Sequence, residues 1–172
     1  MKRRDFLIRT GALTGFIFLR YTSAYAHTID KDLKFTALEK PESEWQKLLS
    51  EDQYEILFDE GTEPAGSSPL DHEKRTGTFI CAACYLPLFE STTKYNSGTG
   101  WPSFYQSIPG RVATKRDFKM IIPRTEYHCT RCGGHQGHVF DDGPQPTGKR
   151  YCNNGLALLF VPAEEPLPDL RN

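Results

Sequence analysis

Cys129-Thr130-Arg131-Cys132-Gly133-Gly134-His135-Gln136-Gly137-His138-Val139-Phe140-Asp141-Asp142-Gly143-Pro144 is the stretch from which the rest of the chain is best read. It opens on a C-x-x-C pair with glycines of the kind a tight knuckle uses. It runs through a short strand-like segment carrying two histidines and closes on an Asp-Asp-Gly-Pro turn. A matching pair, Cys81 and Cys84, lies upstream, with 44 residues between Cys84 and Cys129. Two such pairs fill a tetrahedral zinc site of four thiolates, closed and structural. The spacing between them is enough for a β layer whose ends the metal ties together. The other reading is two disulfides in an oxidising compartment. Pair-of-pairs spacing favours zinc, and a zinc ion held by four cysteines has no open position for chemistry.

Working outward, the apolar runs after Asp71 are short, rich in aromatic and β-branched residues, and bounded by Gly, Pro, Asn and Asp. Gly77–Ile80, Lys94–Asn96, Val112–Lys115, Lys119–Ile122, Glu126–Cys129, Gly137–Phe140 and Leu156–Val161 read as strands of a mainly β, antiparallel domain. No helical period survives past residue 75. Upstream, Glu42 to Glu60 reads as two helical pieces. Trp45, Leu48 and Leu49 share one face; Ser50 and Gln53 form a capping box for the second piece, with Tyr54, Leu57 and Phe58 on its face and Gly61 as its stop. His27 to Lys40 reads as an arm with some strand character, Gly61 to Asp71 as a loop, and the Pro-rich acidic tail from Pro162 as loose.

The first residues stand apart. Met1-Lys2-Arg3-Arg4-Asp5-Phe6-Leu7-Ile8 carries a twin arginine; a weakly apolar run follows, and Ala24-Tyr25-Ala26 gives a small-x-small cleavage pattern. This is the layout of a bacterial twin-arginine export signal over residues 1–26, followed by a single domain over 27–172. An uncleaved anchor is the other reading, but the apolar run is well short of the roughly 20 residues a spanning helix needs. Cleavage predicts a periplasmic protein with no stable membrane insertion. That route exports folded proteins, so zinc can be loaded before the thiols meet an oxidising compartment. Removing Lys2, Arg3, Arg4, Arg9, Arg20 and Asp5 with the signal leaves 16 basic and 21 acidic residues, a formal charge of −5. Such a domain has no electrostatic footprint for nucleic acid.

The fifth cysteine stands alone in Arg150-Tyr151-Cys152-Asn153-Asn154. On a strand, Arg150 and Asn154 share the face of Cys152. A guanidinium lowers a nearby thiol pKa and Asn154 can donate to the thiolate, the setting of a nucleophile. A buried, inert cysteine is the competing reading. His135 and His138 supply an imidazole for acid catalysis, or else extend the metal site, which four cysteines already saturate. One carboxylate of Asp141-Asp142 can orient a histidine while the other makes the turn. Glycines around Trp101 in Asn96-Ser97-Gly98-Thr99-Gly100-Trp101-Pro102-Ser103-Phe104 suggest a loop that presents the indole as a wall for a small apolar group; a core tryptophan in a turn reads the same.

Taken together, Gly98 to Phe104, Cys129 to Cys132, His135 to Pro144 and Arg150 to Asn154 closely resemble the B-type methionine sulfoxide reductases, over about Ser43 to Phe160. The resemblance implies two antiparallel sheets with short helices on the N-terminal side and zinc knuckles joining the layers. It implies that Cys152 attacks the sulfur of a methionine R-sulfoxide, free or in a protein. Methionine and a sulfenic acid on Cys152 result. It implies His138 as the acid for the sulfoxide oxygen, supported by His135. Asp142, Arg150 and Asn154 shape and polarise the site, Trp101 lines the pocket for the substrate methyl group, and Phe140 is a further substrate-binding residue.

Two positions depart from the family. Thr99 stands where many members carry a resolving cysteine, and no sixth cysteine replaces it. Leu159 stands where an arginine is common. The first departure implies an external reductant, a periplasmic thioredoxin-like protein or a small thiol. Two further readings remain: a zinc-stabilised binding module without turnover, for which a lone thiol beside Arg150 has no use, and a one-cysteine thiol peroxidase, for which Trp101 has none.

Overall fold

A computed structural model describes residue 30 and residues 33–119 and 122–172. The export-signal reading of residues 1–26 lies outside them, as do residues 27–29 and 31–32 of the arm. Among the described residues, two short α-helices, α1 (Glu42–Leu48) and α2 (Glu51–Phe58), precede nine strands: β1 (Gly77–Cys81), β2 (Pro87–Glu90), β3 (Lys94–Tyr95), β4 (Ser103–Phe104), β5 (Val112–Asp117), β6 (Arg124–Cys129), β7 (His135–Phe140), β8 (Arg150–Asn153) and β9 (Leu158–Pro162). The strands form two antiparallel sheets, β2-β1-β9 and β3-β4-β8-β7-β6-β5. No helix among the described residues is long and apolar enough to cross a membrane.

Aromatic side chains from both sheets fill the space between them. Phe89 stacks on Phe104 with centroids 4.2 Å apart, Phe79 meets Phe104 edge-on at 4.9 Å, and Tyr127 meets Tyr151 edge-on at 5.2 Å. Such pairs add about 0.5–1.5 kcal/mol each beyond their buried area. Because side chains alternate along a strand, Tyr151 facing this core turns Arg150 and Cys152 to the opposite face of the larger sheet. Backbone register then assembles a row on that face: Ser103, Cys152, His138, Glu126 and Lys115 are successive partners across β4, β8, β7, β6 and β5.

The capping box forms as the sequence predicts. The Ser50 hydroxyl accepts from the Gln53 N–H and the Gln53 side chain accepts from the Ser50 N–H. Other expectations shift. Leu48 is exposed while Trp45 and Leu49 are buried, because α1 ends at residue 48 and one face turns away from the core. The left-handed residue after α2 is Glu60, not Gly61. No strand forms at Lys119 or Ile122. The Asp117 carboxylate accepts the Lys119 N–H at 2.8 Å, which turns the chain, and Pro123 has no N–H for a ladder. Strands β2 and β4 were not expected. The described arm from Leu33 to Lys40 makes no strand; the Arg111 guanidinium holds it through the carbonyls of Asp30 and Leu33. Nor is the tail loose. Arg171 stacks on Tyr85 at 4.1 Å, its N–H bonds the Cys84 carbonyl, and Arg131 holds its carbonyl at 2.6 Å.

Candidate active site and metal centre

Two knuckles meet at the end of the core. The first follows β1 and the second follows β6, and each turns on a left-handed residue just after its second cysteine. These are Tyr85 at φ 65° and Gly133 at φ 74°. The four sulfurs of Cys81, Cys84, Cys129 and Cys132 lie within 4.8 Å of one another. Cys81 and Cys132 are 3.7 Å apart and Cys84 and Cys129 3.6 Å. A tetrahedral zinc with about 2.3 Å bonds sets its sulfurs about 3.8 Å apart, so the donor set and its spacing fit zinc. Hydrogen bonds among the buried sulfurs lower the Cys84 thiol while raising Cys81 and Cys132, so the cluster holds one thiolate readily and needs a cation to hold more. Gln136 Nε2 reaches Cys81 Sγ at 3.5 Å, the outer support a metal ligand needs.

On the far side of Gln136 lies a cleft of ≈ 280 Å³. Cys152 lies in it, with Thr99, Trp101, Arg124, His138, Phe140 and Arg150 among its walls. Strand β7 crosses β8 here so closely that a Cβ on Gly137 would fall 1.9 Å from the Cys152 carbonyl oxygen, so only glycine fits. Gln136 is skipped where the β6–β7 register shifts, between Tyr127 facing Gly137 and His128 facing His135. This bulge frees Gln136 to serve the metal cluster on one side and β8 on the other. Its carbonyl accepts from both the backbone and side-chain N–H groups of Asn154, at 2.8 and 3.2 Å.

The predicted residues meet here, though not all as predicted. His138 is the strand neighbour of Cys152, and its Nε2 lies 2.8 Å from Asp117 Oδ2. Asp117 is held well below the usual carboxylate range by the Lys119 N–H, His138 and Arg124. As an ionised carboxylate it only accepts, so Nε2 carries the proton. Burial pulls the His138 pKa down more than Asp117 raises it. At neutral pH His138 is therefore uncharged, with a lone pair on Nδ1. The resemblance implied His138 as the acid for the sulfoxide oxygen; uncharged at rest, it must first gain the proton it would deliver.

His135 stands behind His138, ring centroids 5.5 Å apart, buried and outside the cleft walls. Its Nδ1 lies 2.9 Å from Glu126 Oε1, near enough for an ion pair but off line for a hydrogen bond. Neither carboxylate of the turn orients a histidine. Asp142 binds Arg150 with two bonds of 2.8 Å, and Asp141 binds Lys149. Arg150 also lies 4.2 Å over the Phe140 ring. With its charge answered by Asp142, Arg150 does not make Cys152 a thiolate: burial raises the thiol pKa more than Arg150 and Thr99 lower it. Asn154 is likewise engaged: its Oδ1 accepts from the Glu63 N–H at 3.2 Å and its Nδ2 donates to the Gln136 carbonyl, so it braces the loop.

Trp101 is half-buried on the cleft wall, and its indole N–H donates to the Glu63 carbonyl at 3.1 Å. Glu63 went unread. Its buried carboxylate accepts the N–H groups of Gly155 and Leu156 at 2.6 and 2.9 Å, closing the turn after Cys152. Asp117, Glu126 and Arg124 were missed as well. They lie on β5 and β6, and only an acidic residue inside an aromatic strand pattern hinted at them.

Comparison with known proteins accords with this geometry. The SelR domain family matches residues 49–162. A protein of Methanosarcina barkeri named peptide methionine sulfoxide reductase MsrB is 52% identical over 130 residues, spanning 75% of this chain and 92% of the relative. Proteins of the same name from Leptospira interrogans (50% identity, 70% of this chain, 93% of the relative) and Agrobacterium fabrum (45%, 76% and 98%) are similar too.

Proposed function

The chain belongs to the SelR-domain family, and from that premise we propose that it is a thiol-dependent reductase of methionine R-sulfoxide with Cys152 as its nucleophile. The observation that carries the reading is the placement of the one cysteine outside the metal cluster. It lies in a cleft walled by Trp101 and Phe140, next to an uncharged His138 fixed by Asp117. The indole and Phe140 suit a thioether methyl group, and Asp142 and Arg150 set the polarity of the rim. Cys81, Cys84, Cys129 and Cys132 hold zinc, which stabilises the fold and takes no part in the chemistry.

The resting thiol brings the proton the reaction needs. His138 Nδ1 takes it from Cys152, and the thiolate attacks the sulfoxide sulfur. His138 then returns the proton to the sulfoxide oxygen. The S–O bond breaks, methionine leaves, and the oxygen ends on Cys152 as a sulfenic acid. The cysteine sulfur has lost two electrons and the substrate sulfur has gained two. A first external thiol attacks the sulfenic acid, releasing water and leaving a mixed disulfide, and a second releases Cys152 as the thiol.

Resolved R and S sulfoxides with dithiothreitol test the reading: the R epimer should turn over and the S epimer should not. One turnover without thiol should leave a sulfenic acid that a dimedone-type probe traps, since the other four cysteines belong to the metal cluster. Peptide mapping that finds Cys152 already paired with one of them would overturn the external-thiol cycle.

The pH profile has a definite sign. As pH falls, His138 gains a proton and can no longer take one from Cys152, so kcat/KM should drop. Because burial lowers the His138 pKa, the midpoint should lie below 6.5. His138→Asn should remove the acid limb and about 10²-fold of the rate. A limb that persists unchanged in this variant would exclude His138 as its source.

We further propose that residues 1–26 direct export by the twin-arginine route and that the domain from His27 acts on oxidised methionine in the periplasm. The twin arginine, the short apolar run and Ala24-Tyr25-Ala26 support this. N-terminal sequencing of the mature protein, beginning at His27, checks it.

A further inference from the structure

A line of three hydroxyls runs from the Trp101 carbonyl to the Cys152 cleft. Ser103 Oγ donates to the Trp101 carbonyl at 3.0 Å. Ser97 Oγ lies 2.7 Å from Ser103 Oγ, and Thr99 Oγ1 lies 2.8 Å from Ser97 Oγ. Thr99 lines the cleft with Cys152, and Ser103 is the strand partner of Cys152 in β4 and β8.

Each hydroxyl has one proton and two lone pairs, so the protons along the line can be assigned. A carbonyl only accepts, which commits the Ser103 proton to Trp101. Ser103 is then the acceptor for Ser97, whose single proton is committed in turn. Ser97 is left to accept, and it accepts twice: from the Thr99 hydroxyl and from the Thr99 backbone N–H, at 3.4 Å. If the Thr99 hydroxyl turns away, Ser97 keeps the backbone bond. Thr99 is thus the one member of the line whose proton has a choice.

We propose that Thr99 is a positioning residue whose hydroxyl follows the charge on Cys152. Its proton rests on Ser97 while Cys152 is a thiol, and it turns to donate to the sulfur when the thiolate forms. The Thr99 hydroxyl acts to lower the Cys152 pKa, with Arg150 and against burial. The other polar and charged groups around the sulfur are Arg150 on β8, His138 on β7, Asp142 after it, Arg124 and Tyr127 on β6, and Tyr95 on β3. None of them changes in the variants below.

This inference rests on the reading of Cys152 as the attacking thiol, but its test does not use sulfoxide turnover. The rate of Cys152 alkylation by iodoacetamide is followed against pH for the intact zinc-loaded protein and for Thr99→Val, Thr99→Ser and Ser97→Ala. Thr99→Val keeps the shape and removes the donor. Its midpoint should rise by about one pH unit, about tenfold less thiolate at neutral pH. Thr99→Ser should restore the native midpoint. Ser97→Ala removes the rival acceptor, so the Thr99 proton is free for the sulfur and the midpoint should fall. Opposite signs from two neighbouring substitutions are not what general loosening of the loop produces. Midpoints that stay put in Thr99→Val, or that move the same way in Thr99→Val and Ser97→Ala, would overturn the proposal. If R-sulfoxide turnover fails while these shifts appear, the hydroxyl line stands and the assigned substrate does not.

Discussion

Cys152→Ser is expected to lower R-sulfoxide reduction by at least about 10³-fold, with zinc content and thermal unfolding unchanged. Serine keeps the shape but holds its proton at any working pH and has no sulfenic acid to form. The fold does not depend on the sulfur. Tyr151 and Asn153 carry the packing and hydrogen bonding of β8, through the Tyr127 edge contact and the 2.6 Å bond from the Tyr127 hydroxyl to Asn153 Oδ1. The thiol itself has its polar neighbours in the cleft. Turnover with resolved epimers, beside a melting curve and a metal assay, measures all three. Substantial residual rate in a homogeneous folded variant would remove Cys152 from the chemistry. Loss of folding would instead make it a packing residue.

What could be read in the sequence was local. Two C-x-x-C pairs, a lone cysteine between an arginine and an asparagine, a capping box and a glycine-flanked tryptophan each declare themselves within a few residues. Sheet register does not. Asp142 seemed the natural partner of a histidine because it lies four residues from His138, yet Arg150, opposite Phe140 on β8, claims it with two bonds. The carboxylates that do meet the histidines, Asp117 and Glu126, come from β5 and β6, and which strand residues face one another is decided by pairing across the whole sheet. The charge argument holds in sign but not in size. Arg150 does lower the thiol pKa, but burial, the competing reading, outweighs it, and the pairing of Arg150 with Asp142 could not be seen before the strands were paired. Strand β2 was missed because its three buried apolar residues, Pro87 to Phe89, show no alternation to read, and β4 because it is two residues long.

Removing the metal should have the larger structural effect. The Cys81 and Cys84 knuckle belongs to the three-stranded sheet, and the Cys129 and Cys132 knuckle to the six-stranded one. One ion bound to all four therefore ties the two layers where the aromatic core ends. The tie extends to the site, because Gln136 bonds Cys81 Sγ with one side-chain atom and Asn153 Nδ2 with the other, and its carbonyl holds Asn154. Structural zinc carries about 10–16 kcal/mol of apparent binding free energy, as much as the whole stability of a typical domain at about 5–15 kcal/mol. Cys84→Ser or Cys129→Ser should therefore abolish cooperative unfolding, and chelation should do the same to the native chain. Without the cation the four buried sulfurs cannot all stay ionised, and the tie that joins the two layers at this end is lost. Metal content, near-ultraviolet circular dichroism and the rate of Cys152 alkylation would be followed together during chelation. Zinc loss, loss of the aromatic signal and free access to Cys152 should coincide. Folded, fully active protein carrying no zinc would show that the two sheets need no metal tie.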